Sequence, residues 1–284
     1  MTLILCSRTP ASIIKAALLA QILSDLPCFR SDQQELGLFM HTDAIDADNY
    51  KIPELVGQLR QNCGLDAAWL TAASGKTLIH HIAGNMRYQA SDRSVVIFAA
   101  VEQALRYGHA YCLGGIGSIS RIFIARTRAV WHEVHRMSAF IRFQPGPNNT
   151  LVTSPKLFHD TADIILRNIS AKYPNTGLVM VLPEKAIKIY RGDIISVSLN
   201  EYKAYSHGDN FQKAWETYYS SQYIATRKNI ALAQRFLPKK YWLFVNCWGK
   251  SIKYYGSREH DSPAFSLLAV SDIQNSISKT IKIP

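Results

Sequence analysis

Arg128, His132 and His135 follow one another at intervals of four and three residues. In a helix those intervals bring side chains onto one strip of the surface. A guanidinium and two imidazoles in a line are donors for phosphate oxygens, and Arg136 and Arg142 extend the positive charge. The same stretch offers a catalytic alternative. His135 could move a proton with Glu133 as its partner, while Arg136 or Arg142 stabilised an anion during attack on a nucleobase or phosphodiester. Residues two apart on a helix face different ways, so His135 and Glu133 converge only if the helix ends there.

A second concentration of chemistry lies further along. No acid occurs between Glu216 and Glu259, while Arg227, Lys239 and Lys240 are interleaved with Tyr218, Tyr219, Tyr241 and Trp242. Cations serve a nucleic-acid backbone and ring faces serve unstacked bases. The plainer reading is buried rings beneath a solvated cationic rim. Trp215 and Tyr218, three apart on one helix face, read as core. Lys239, Lys240, Tyr241 and Trp242, just past the helix-ending Pro238, fit either role.

Other motifs carry less. Ser74–Thr77 reads SGKT, but Leu70 stands where the earlier glycine of a phosphate-binding loop belongs, so the backbone cradle is incomplete. Leu113–Ser118 reads LGGIGS and resembles the hairpin of a helix-hairpin-helix DNA module, whose glycines let N–H groups at a helix N-terminus face a phosphate. A glycine-rich junction between helices is the plainer reading. His80 and His81 are adjacent, point apart, and read as a solvated pair. His132 and His135 lack the third ligand of a catalytic metal site. No metal and no cofactor is expected.

These groups need elements to position them. The chain has 284 residues, 48% apolar and 19% charged, which excludes a disordered or low-complexity chain. Its net charge of +11 favours polyanionic partners, nucleic acid before a membrane surface. No apolar run approaches the roughly 18–20 residues of a bilayer span, so no membrane is expected. MTLILCSRTP lacks a basic leader region, and five scattered cysteines fit a reducing compartment; the expectation is a cytoplasmic protein.

Apolar spacing predicts helices over Ala11–Leu26, Ile52–Cys63, Val95–Tyr107, Ser120–Phe140, Pro155–Lys172 and Asn210–Phe236. β-branched runs predict strands at Leu178–Leu182, Ala186–Tyr190 and Ile194–Leu199. The fold class is α+β: a helical N-terminal region (about 1–138), a small, mostly antiparallel sheet with one packed helix (about 139–205), and a long C-terminal helix (about 210–237). Together these form one domain over 1–249, followed by an extension at 250–284.

Three segments then stand together: WHEVHRMSAFIRF (Trp131–Phe143), AWETYYSSQYIATRKN (Ala214–Asn229) and RFLPKKYW (Arg235–Trp242). In order and spacing they resemble a bacterial family of unknown function described as "probable DNA metabolism protein". Members of that family are commonly encoded beside a radical-SAM protein of DNA modification or repair, and some are fused to a uracil-DNA glycosylase. The resemblance implies a DNA-binding role and carries motif positions onto Glu133, His135, Arg136, Arg142, Arg227, Asn229, Lys239, Lys240, Tyr241 and Trp242. The chain has no CxxxCxxC for an iron–sulfur cluster and no glycosylase motif, so such enzymes would be separate partners.

The expectation is therefore a DNA-binding accessory protein that presents damaged, modified or single-stranded DNA to a partner enzyme. Its nucleic-acid-binding residues would be Arg128, His132, His135, Arg136, Arg142, Arg227, Asn229, Lys239, Lys240, Tyr241 and Trp242. The alternatives are an enzyme using His135 and Glu133, and a protein-interaction module without nucleic-acid contact.

Overall fold

The computed structural model describes residues 3–32 and 44–206, together with Thr217, Ser221, Gln234, Arg235, Pro238 and Tyr241. The fold is α+β. Contacts divide it into two compact units, residues 1–135 with 157–165, and residues 136–156 with those from 166 onward.

The first unit opens with strand β1 (Leu3–Cys6), helix α1 (Pro10–Leu23), β2 (Leu26–Phe29) and β3 (Ala44–Asp46). The strands form a parallel sheet in the order β2-β1-β3. The helical N-terminal region thus also holds a small parallel sheet that the apolar spacing does not predict. LILC is the central strand, with Ile4 and Cys6 fully buried. Four residues are too few to display a period, and their partners lie more than twenty positions away.

Helix α1 starts where predicted because Thr9 caps it, its hydroxyl accepting from Ser12 N–H at 3.3 Å, with Pro10 following. It ends at Ser24, which takes a left-handed conformation (φ 57°). Helix α2 (Ile52–Cys63) matches its predicted span; Pro53 opens it and Gly64 (φ 67°) closes it, its N–H donating to Arg60 O at 3.1 Å. Then come α3 (Ala73–Arg87), α4 (Arg93–Tyr107), α5 (His109–Leu113) and α6 (Ser118–Phe140). The SGKT segment is the first turn of α3, where Gly75 packs on the Leu70 carbonyl. It is helix, not a phosphate loop.

Helices α3 and α6 lie unusually close. A side chain at Gly84 would meet Thr127 Cγ2 at 2.8 Å and Thr127 Cα at 3.2 Å. The contact is pinned by Asn85, whose Nδ2 donates to Phe123 O at 2.7 Å and Thr127 Oγ1 at 2.9 Å. Around it, Leu78, Ile82, Ile97, Val101 and Phe123 are buried in the core that also takes in α1 and α2.

The second unit holds a five-stranded sheet in the order β4-β5-β6-β7-β8. Its strands are β4 (Gln144–Pro145), β5 (Thr150–Thr153), β6 (Gly177–Val181), β7 (Ala186–Tyr190) and β8 (Asp193–Val197). Only β5 and β6 pair in parallel; the other three pairs are antiparallel. Every residue of β6 is buried, as a central strand requires. Arg191 (φ 51°) and Gly192 (φ 92°) turn β7 into β8, both left-handed as a tight hairpin demands. Helix α7 (Ala162–Ser170) is shorter than the expected Pro155–Lys172, because residues 157–161 form a loop held by side chains. The predicted helix at 210–237 and the extension at 250–284 lie mostly outside the described residues; Thr217, Ser221, Gln234 and Arg235 are helical.

The α3–α6 contact yields a paired expectation. Gly84→Ala should destabilise the fold by about 1–3 kcal/mol through overpacking, despite alanine's better helix propensity. Gly57→Ala on α2, where an added Cβ meets nothing within 4 Å, should stabilise by about 0.5–1 kcal/mol. Urea denaturation of both variants checks the signs.

Candidate functional site

The site is built on α6. Its inner face buries Phe123, Thr127, Val130, Val134 and Met137. Its outer face exposes Arg121, Arg128, His132 and His135. The predicted strip is therefore a real surface, and Arg121 adds one more cation to it. From Arg121 to His135 the line runs about 21 Å at the helical rise, roughly the span of six phosphates along one strand. Arg136 is half-buried in the last turn, and Arg142, beyond the helix end, is exposed.

Glu133 is the single acid on this helix, and it is fully buried. Its Oε2 accepts from Phe158 N–H at 2.8 Å; its Oε1 accepts from His159 N–H at 3.0 Å and Thr161 Oγ at 2.8 Å. Three donors satisfy the carboxylate and fasten the loop before α7. The acid–base pair of Glu133 with His135 is thus not formed: one side chain is interior and the other exposed, as their two-residue offset on a helix dictates.

The fastened loop places His159. Its ring stacks on Tyr88 (centroids 4.6 Å), and its Nδ1 accepts from Gln89 N–H at 3.4 Å. Arg126 lies over the Tyr88 ring at 5.0 Å and holds Asp92 at 2.8 Å, which keeps that carboxyl below its ordinary range. Arg87 grips Asp163 with two bonds of 2.6 and 2.9 Å. Each of these two arginines of the first unit is thus paired with a carboxylate.

Helix α3 brings two histidines alongside α6. His80 is exposed and stacks on Trp131, with centroids 5.0 Å apart and planes 10° from parallel. His81 turns inward, its ring 5.8 Å from Phe123 and its Nδ1 buried without a hydrogen-bond partner. Burial first, then the neighbouring His80 and Arg128 charges, push its pKa down to about 4, so it is neutral at pH 7. The expected solvated pair is therefore half right: the rings do point apart, but only His80 is exposed. Among the described residues no group of His, Cys, Asp and Glu could hold a metal ion.

The remaining predicted residues divide. Tyr241 is 1% exposed, so its ring is interior and offers no stacking face; the Pro238 carbonyl accepts its N–H at 3.0 Å. Arg227, Asn229, Lys239, Lys240 and Trp242 lie outside the described residues. His80, Trp131, Tyr88 and His159 were not expected at a site. For Trp131 a signal existed, since it stands three residues after Arg128 on the same helix.

The longest described helix of this α+β protein thus presents cations and imidazoles on its outer face, with its one carboxylate buried. Residues 80–246, more than half of the chain, match the family model of a domain of unknown function, DUF4130. The chain belongs to this family. No curated protein matches it. No described helix is long and apolar enough to cross a membrane.

Two outcomes test this geometry. Glu133→Ala leaves three donors without their acceptor and should cost at least about 2 kcal/mol in urea denaturation. Glu133→Gln should recover part of that, because its single carbonyl oxygen still serves His159 and Thr161 while its NH2 opposes Phe158 N–H. His81 binds its proton more weakly in the folded chain, near pH 4, than an ordinary imidazole near 6.5. Unfolded chain therefore takes up the proton first, and stability should fall as pH drops from about 6.5 to about 4. His81→Phe, which keeps a ring against Phe123, should flatten thermal midpoints across that window.

Proposed function

We propose that this protein is a DNA-binding accessory factor of DNA repair or modification, which presents damaged, modified or single-stranded DNA to a partner enzyme. The observation that carries the reading is the outer face of α6: Arg121, Arg128, His132 and His135 in line, with no exposed acid on the helix. Such a face attracts phosphates and contains nothing to repel them. The net charge of +11 acts in the same direction.

The glycine hairpin before α6 supports it. Gly115 is left-handed (φ 68°), Ile116 is 64% exposed at the tip, and the first turn of α6 carries no acid. This is the layout in which a hairpin enters a groove and a helix N-terminus meets a phosphate. The resemblance to proteins encoded beside a radical-SAM enzyme, or fused to a uracil-DNA glycosylase, points to those activities as the partners. Arg136, Arg142, Arg227, Asn229, Lys239, Lys240 and Trp242 are the further residues proposed to contact DNA.

The test is electrophoretic binding to single-stranded, duplex, uracil-containing and abasic DNA at two salt concentrations. Affinity should fall steeply with salt, and Arg121→Ala with Arg128→Ala should lower the slope of log K against log salt by roughly two on duplex. An unchanged slope would remove α6 from the interface. No binding to any of the four DNAs would favour the protein-interaction alternative.

A further inference from the structure

We propose that the stacked His80–Trp131 pair is a platform for an unpaired nucleobase, which lies on the outward face of the His80 imidazole. This rests on the nucleic-acid reading of α6 and names the part of the ligand that reading leaves open.

The geometry is that of a half-built stack. Trp131 covers one face of the His80 ring, 5.0 Å between centroids and 10° from parallel, yet His80 remains exposed. The pair comes from two helices locked together at Gly84, Asn85 and Thr127, so the ring is held before any ligand arrives. A preordered aromatic surface loses little side-chain freedom on binding. Burial against the indole also lowers the His80 pKa, which favours the neutral imidazole at pH 7.

The surroundings select an anion-bearing ring. Lys76 stands one turn before His80 on α3, and Arg128 stands three residues before Trp131 on α6; both are exposed. Helix α3 contains no Asp or Glu, and α6 contains only the buried Glu133. The pair is therefore flanked by cations on both helices with no exposed carboxylate on either. Bases inside a duplex present their edges and keep their faces stacked on neighbours. Only an unpaired or flipped base has a face to give, which makes single-stranded or locally opened nucleic acid the ligand.

Anisotropy titration of the full chain with a labelled dT12 strand, the same strand made abasic, and a duplex of the same length tests this. His80→Ala should weaken dT12 binding about tenfold, leave the abasic strand and the duplex unchanged, and not alter the salt slope, because stacking releases no counterions. His80→Phe should restore dT12 binding, which separates loss of a ring from loss of fold. If His80→Ala leaves dT12 binding intact while Arg128→Ala weakens it, the platform falls and the phosphate-binding face stands. If wild-type protein binds none of the three, both readings fall. If poly-Glu competes as well as dT12 does, the patch is a generic anion surface and the platform is overturned.

Discussion

Two helices cross where one has no side chain. At Gly84 the backbone of α3 comes so near Thr127 of α6 that a methyl group would not fit, and Asn85 ties α3 to the Phe123 carbonyl and the Thr127 hydroxyl. Distances elsewhere on these helices follow from that closeness. His80 lies one turn before Gly84, and Trp131 one turn after Thr127. Helices paired in this sense bring those two rings together on the outer side of the crossing, while His81 is turned toward Phe123 on the inner side. A wider crossing would admit water between the imidazole and the indole and would leave His81 with its ordinary affinity for a proton.

Charge is sorted as strictly as volume. Arg87 and Arg126 are each matched to a carboxylate, Asp163 in the first turn of α7 and Asp92 just before α4. Arg121, Arg128, His132 and His135 share one exposed face of α6, and the helix itself carries no exposed acid. Glu133, the one acid of α6, faces inward and accepts from three donors of the loop before α7. Its burial thus has two effects at once. It orders residues 158–161, and it leaves α6 without an exposed acid. Transfer of that carboxylate to the surface would undo both.

Where local chemistry marks both ends of an element, the chain reads correctly in advance. Helix α2 has Pro53 at its start and Gly64 at its end, and its predicted span matches. The hairpin of β7 and β8 is announced by Arg191-Gly192 between β-branched runs. The strip on α6 is legible because spacings of three and four are a property of any helix. What depends on distant partners is not legible. β1 is four residues whose neighbours arrive from positions 26 and 44, so it displays no pattern of its own. Gly84 and Asn85 interrupt the apolar stripe of α3, and only the close approach of α6 explains them. Glu133 reads as a surface acid until the loop 25 residues onward supplies its donors. Tyr241 sits among cations in sequence and inside the protein in space.

If the ligand is the proposed polynucleotide, a line of cations and a stacked ring pair would answer different questions about it. A cationic line that bound phosphates would be indifferent to sequence and to strandedness, and its binding would weaken with salt. A stacking His80–Trp131 pair would be little affected by salt and sensitive to whether a base is free. Neither alone would distinguish damaged or opened DNA from intact duplex at useful affinity. Joined through one rigid crossing they would, because the phosphate contacts hold any strand while the ring adds binding only where a base has left its stack. Selectivity of this kind needs no hydrogen bond to a base edge and no catalytic group. That suits a face on which the one carboxylate is buried and the one inward histidine is kept neutral.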